Sequence, residues 1–177
     1  MPARAASSRT GGGGTGEAAL SLACRVNAAE SPAVPDIDYL ELPDGRRIAF
    51  RNLAGRGPLL VFLPGYMSDM AGSKASALLD WARSEGRGCL LFDYSGCGAS
   101  GGDFADGTLR RWRDEALALI SARGGERVVL VGSSMGGWLM LLVAEALGAR
   151  VAGLVGIAAA PDFTRWGRSD AERARLA

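Results

Sequence analysis

The run Val128-Val129-Leu130-Val131 leads into Gly132-Ser133-Ser134-Met135-Gly136 and then into an apolar stretch from Trp138 to Leu147. An unbroken aliphatic run makes a strand buried on both faces, and the stretch after it has the length of a helix, so the residues between must turn the chain sharply. G-x-S-x-G in that setting puts the serine on a strained bend whose hydroxyl projects from the sheet, while the glycines let neighbouring backbone pass close by. Ser134 is the candidate nucleophile. The plainer reading is an ordinary strand-to-helix turn that uses Gly132, Gly136 and Gly137 only for tight packing. The same chain contains no histidine, so it holds no imidazole to take a proton from the serine.

A chain of 177 residues, 48% hydrophobic and 22% charged, is sized for one globular domain. Its formal charge of +1 supplies no broad field to attract nucleic acid or an anionic membrane. Cys24, Cys89 and Cys97 are odd in number and lack C-x-x-C spacing, which argues for a reducing, intracellular compartment and against a disulfide framework or a zinc site. With no histidine ligands, metal catalysis is not indicated. Residues 1–35 differ from the rest: Ser, Ala, Arg and a Gly11 to Gly14 tract, closing on Ser31-Pro32 and Pro35. They read as a disordered leader. Arg4 and Arg9, with no acid before Glu17, suit a mitochondrial transit peptide. A tail without a targeting role, on a cytoplasmic protein, is the alternative. No window is apolar for long enough to span a membrane.

From residue 36 to 177 short apolar runs alternate with helical windows. Ile37 to Leu42 and Arg47 to Asn52 flank Pro43-Asp44-Gly45 and predict a hairpin. Leu59 to Leu63, Cys89 to Asp93, Val128 to Val131 and Val151 to Ile157 predict strands of a parallel sheet, buried on both faces. Helices are predicted over Ser73 to Ser84, over Thr108 to Ala122 with Thr108 as N-cap, and over Met135 to Leu147. In the second, Leu109, Trp112, Ala116, Leu119 and Ile120 face inward, and Arg110, Arg111, Arg113, Asp114 and Glu115 face water. The third is apolar nearly all round, which predicts a central, covered helix. The alternation defines an α/β fold with a mostly parallel sheet and helices on both faces.

Gly96-Cys97-Gly98-Ala99-Ser100-Gly101 matches the dinucleotide fingerprint G-x-G-x-x-G after a strand. A phosphate-binding loop must open straight into a helix, however, and Gly102, Asp103, Asp106 and Gly107 delay helix onset to Thr108. Asp69 and Asp93 are read as residues that fix loops or cap helices.

Four blocks in order carry a family resemblance: Leu63 to Met70, Phe92 to Gly96, Val131 to Trp138 and Gly156 to Phe163. The chain resembles α/β-hydrolases over residues 36 to 161, and within them a group of mitochondrial palmitoyl-protein thioesterases, also described as acyl-glucuronide esterases, with their bacterial relatives. The resemblance implies acyl transfer to water through a covalent intermediate on Ser134, from a small-molecule or protein-linked acyl substrate, with no metal or organic cofactor. It implies two backbone oxyanion donors, Met135 after the nucleophile and Tyr66 in the loop after the strand Leu59 to Leu63. Where the family commonly reads Gly-His-Gly, this chain has Gly96-Cys97-Gly98. The family's acid and histidine follow later strands, and residues 36–177 are expected to form an incomplete domain that lacks the last strands and ends inside the lid segment. Asp162 follows a strand where some members place the acid, but has no imidazole to orient. Loss of one triad member costs about four to six orders of magnitude in turnover, so the chain alone is expected to be nearly inert. The alternative is a non-catalytic module that binds acyl ligands or a partner. Without further strands, Val151 to Ile157 would be an uncharged sheet edge prone to aggregation.

Overall fold

The computed structural model describes residues 33–123, 125–162 and 169. Most of the expected leader, and the segment after Asp162 read as a lid, lie outside them. Among the described residues the strands are β1 (Asp38–Glu41), β2 (Arg47–Leu53), β3 (Arg56–Leu63), β4 (Arg87–Phe92), β5 (Val128–Ser133) and β6 (Val151–Ile157). The α-helices are α1 (Ser73–Ser84), α2 (Leu109–Arg123) and α3 (Met135–Leu147), and short 3₁₀ turns cover Phe104–Asp106 and Gly148–Arg150.

The sheet runs β1-β2-β4-β3-β5-β6. β1 and β2 are antiparallel across the expected hairpin, β2 is antiparallel to β4, and β4, β3, β5 and β6 are mutually parallel. The chain passes from β3 outward to β4 and then back across β3 to β5, so the strand order reverses at β3. In open α/β sheets ligands bind outside the carboxyl ends of the strands at such a reversal. The loops after β3, β4 and β5 all emerge there.

Two cores flank the sheet. On one face Val61, Leu63, Leu90, Phe92, Leu130 and Tyr94 pack against Trp112, Leu119, Ile120, Leu139 and Val143 of α2 and α3. On the other, Leu60, Phe62, Leu91 and Val131 pack against Ala75, Leu79 and Ala82 of α1. Thr108 caps α2, its hydroxyl oxygen accepting from the Arg111 N–H at 3.1 Å.

Three expectations change. Glu115, expected to face water, is fully buried. Its carboxylate accepts from the Ser95 N–H at 2.9 Å and pairs with Arg46 from the β1–β2 turn, so a charge on the inner face of α2 is neutralised locally. Helix α3 is not covered all round: Leu141 is 44% exposed, opposite Leu139 and Val143. β6 is half-exposed rather than buried on both faces, because among the described residues it pairs on one side only, with β5.

Candidate active site

Ser134 stands between β5 and α3 with φ 52° and ψ −119°. A non-glycine residue in that region carries about 1–3 kcal/mol of strain and persists only where its surroundings over-determine it. They do so here. The Ser134 N–H donates to the Ile157 carbonyl at 3.0 Å, and its carbonyl accepts from Gly137 at 2.8 Å and Ala160 at 3.0 Å. The ends of β5 and β6 and the first turn of α3 are thus tied through one residue, and its side chain is left in the exposed position.

The glycines of the motif answer to close packing. A methyl group at Gly136 would overlap the Leu63 and Pro64 carbonyl oxygens, and one at Gly132 would meet the Gly136 carbonyl. The helix therefore starts against the end of β3 at a distance only hydrogen permits. The tight packing of G-x-S-x-G is realised, and it accompanies the bend that leaves the Ser134 side chain exposed.

Facing the bend is the loop after β3. A Cβ built on Gly65 would lie 3.3 Å from the Ser134 Cβ, which puts the Gly65 backbone directly against the candidate nucleophile. The Ser68 N–H donates to the Gly65 carbonyl at 3.1 Å, closing a turn with Tyr66 and Met67 at its apex and Met67 at φ 54°. Among the described residues the Tyr66 N–H donates to no acceptor. Met135, as the first residue of α3, has no carbonyl one turn back to receive its N–H. Two open amides thus flank the serine, on the helix N-terminal side where developing negative charge is stabilised. The Tyr66 ring is half-exposed and sits edge-on to Phe104, with centroids 5.2 Å apart.

The Gly65–Met70 loop separates two clefts. A polar one of about 110 Å³ is lined by Gly65, Ser68, Asp69, Lys74 and Ser133. A less polar one of about 240 Å³ lies between Met67, Ser68 and Asp69 on one side and Cys97, Gly98 and Phe104 on the other. Burial pushes the Cys97 thiol up, and the nearby Asp93 adds to the effect, so Cys97 is kept as a neutral wall residue.

The sequence signal for the floor of the site was thin. Tyr94 is fully buried, stacks on Trp112 with centroids 5.3 Å apart, and donates its hydroxyl to the Pro64 carbonyl at 3.3 Å. Burial holds its phenol well above the ordinary value, which keeps it a donor. Asp93 does fix loops: Oδ1 accepts from Met70 at 2.7 Å and Oδ2 from Ala99 at 2.8 Å. Asp69 accepts from the Ala71 N–H at 2.9 Å in a local turn. The Gly96 to Gly101 segment folds onto this carboxylate rather than opening a helix, and an anionic phosphate there would meet Asp93. Asp162 is exposed in the turn after β6, at φ 55°.

The fold that carries this arrangement, a mostly parallel sheet with helices on both faces, agrees with comparison to known proteins. The model of the alpha/beta hydrolase family matches residues 60–177, and the chain belongs to that family. It is similar to the mitochondrial palmitoyl-protein thioesterase ABHD10 of Homo sapiens, 42% identical over 126 residues, which are 71% of this chain and 41% of the relative. Among solved structures, alpha/beta hydrolase domain-containing protein 10 from mouse superposes with a TM-score of 0.66 at 38% identity, over 68% of this chain and 48% of that one. A hydrolase of Agrobacterium vitis S4 superposes with a TM-score of 0.70 at 44% identity, over 80% of this chain and 61% of that one. The chain thus spans less than half the length of the human relative it matches.

Proposed function

We propose that Ser134 is the nucleophile of a hydrolase acting on acyl thioesters or carboxylic esters, working through an acyl-enzyme. The observation that carries the reading is the exposed Ser134 side chain, held at φ 52° between β5 and α3. In the reaction its Oγ adds to the acyl carbonyl and its proton passes to a general base. The oxyanion is received by the N–H groups of Tyr66 and Met135, the leaving thiol or alcohol departs, and water then releases the acid. Backbone donors of this kind are worth about 3–4 kcal/mol each in the transition state because they are oriented before the charge develops.

The 177 residues contain no histidine, so no imidazole of this chain can serve as that base and its own turnover is expected to be slow. The relatives' names extend the reading to a fatty acyl group on a protein thiol and a mitochondrial setting, and the composition of residues 1–35 suits a leader that serves import. The absent imidazole also favours a second reading, in which this fold binds an acyl ligand or a partner without turning it over.

The experiment is labelling with a fluorophosphonate, followed by peptide mapping, of the 177-residue chain, its Ser134→Ala variant and a chain extended by any downstream reading frame. Slow labelling of the chain at Ser134, strong labelling of an extended chain that brings an Asp and a His, and none in Ser134→Ala are expected. Labelling at another serine overturns the assignment. An extended chain that stays unlabelled favours the binding module.

A further inference from the structure

Asp93 is 1% exposed, and its carboxylate lies where two loops meet. One oxygen accepts from the N–H of Met70, which closes the loop bearing Tyr66, and the other from the N–H of Ala99, in the loop of residues 96–101. No backbone hydrogen bond joins these loops among the described residues. The two loops form facing walls of the 240 Å³ cleft, and the Asp93 side chain hydrogen-bonds to both; the loop of residues 96–101 is also held to β2, where the Gly101 N–H donates to the Arg47 carbonyl and the Ala49 N–H to the Ser100 hydroxyl oxygen. Bonds to an ionised, desolvated acceptor are roughly twice as strong as neutral ones, which suits a single group to the task. Gly98, at φ 49°, makes the approach possible, because a methyl group there would collide with the Asp93 carboxylate. The backbone of Asp93 is itself fixed: its N–H donates to the Ala49 carbonyl at 3.0 Å and its carbonyl accepts from the Ser100 hydroxyl at 2.7 Å.

We infer that Asp93 is a positioning residue of the hydrolytic site: its carboxylate clasps the Gly65–Met70 loop to the loop of residues 96–101, and so sets the direction of the Tyr66 N–H and the width of the cleft. The catalytic half of this inference rests on the reading of Ser134 and Tyr66 given above; the clasp itself does not.

The test combines amide hydrogen exchange with the kinetics of Ser134 phosphonylation in the 177-residue chain. In the wild type, the Met70 and Ala99 amides are expected to exchange at least about a hundredfold more slowly than free loop amides. In Asp93→Asn, where an NH₂ group faces one of the two donors, protection at one or both falls at least tenfold. Protection at Leu130 and Leu139 stays unchanged. The maximal phosphonylation rate falls about tenfold, with the inhibitor's KI within twofold and the full complement of sites still labelled. A merely destabilised protein would instead lose labelled sites or exchange protection throughout. Gly98→Ala reaches the same state by displacing the carboxylate, so it is expected to share the phenotype. Wild-type Met70 and Ala99 amides that exchange as freely as exposed loop amides overturn the clasp without recourse to any variant. Unchanged exchange in both variants does the same. If exchange responds but the phosphonylation rate does not, the positioning role falls. Absence of wild-type labelling at Ser134 counts against the hydrolytic reading and with it the positioning role, while the exchange data still decide the clasp.

Discussion

β5 and β6 are neighbours with similar sequences, VVLVGS and VAGLVGI, and Leu130 and Leu154 are register partners across them. Leu130 is fully buried and Leu154 is 44% exposed. Composition makes both segments strands; position in the sheet decides what each one holds. β5 lies between β3 and β6 and feeds the bend at Ser134. β6, paired on one side among the described residues, borders an open apolar groove of about 590 Å³ lined by Leu60, Leu78, Trp81, Val129, Val155 and Ile157. The strained serine sits at the end of the enclosed strand and, among the described residues, is tied to β6 only through the carbonyl of its last residue, Ile157.

The sharpest way to break this contrast is Gly136→Ala, since the added methyl would have to displace the Leu63 and Pro64 carbonyls. Backbone offers no rotamer to yield, so a loss on the order of 3 kcal/mol or more in urea unfolding is expected. Paired truncations come next. Leu130→Ala should cost about 2–5 kcal/mol and Leu154→Ala less than about 1; equal losses would mean that β6 is as enclosed as β5. Third is Ser134→Gly. Relief of about 1–3 kcal/mol of strain, set against about 1 kcal/mol of added unfolded-state entropy, predicts a melting point equal to or a few degrees above that of Ser134→Ala. A clearly lower one would show that the bend is not strained.

The smallest effect is a pH dependence. Burial raises the Asp93 carboxyl above its ordinary 3.8, against the two N–H groups that lower it. Between 3.8 and the folded value the native state binds more protons than the unfolded one, so this group's contribution to stability falls as pH rises through that window and is greatest below it. Unfolding free energies of wild type and Asp93→Asn measured across the window should therefore diverge, the wild type declining relative to the variant with rising pH. A difference flat in pH would contradict the raised value.

The fold was largely legible because its signals are periodic. The boundaries of α1 and α3 fall where the sequence puts them, and the Ser134 bend follows from the change of pattern at Gly132. Glu115 was misjudged because an acid beside Arg113 and Asp114 reads as solvated surface, whereas its partner Arg46 lies far along the chain in the β1–β2 turn. Covering of α3 and β6 was over-read from composition, which cannot say which neighbours are present. At the site, the residues on the bend were visible as a motif. The parts played by Tyr94 and Gly98 were not, because a hydrogen bond from Tyr94 to Pro64 or the approach of Gly98 to Asp93 depends on how loops after different strands meet. Asp93 was readable as a loop-fixing residue, but not which two loops it joins.

The central claim is that Ser134 and the amides of Tyr66 and Met135 converge on one developing charge. A crystal structure of the Ser134 phosphonate adduct tests it most directly. The account predicts a phosphoryl oxygen within about 2.7–3.1 Å of both backbone nitrogens. An adduct on another serine, or an oxygen turned away from both amides toward solvent, would contradict it.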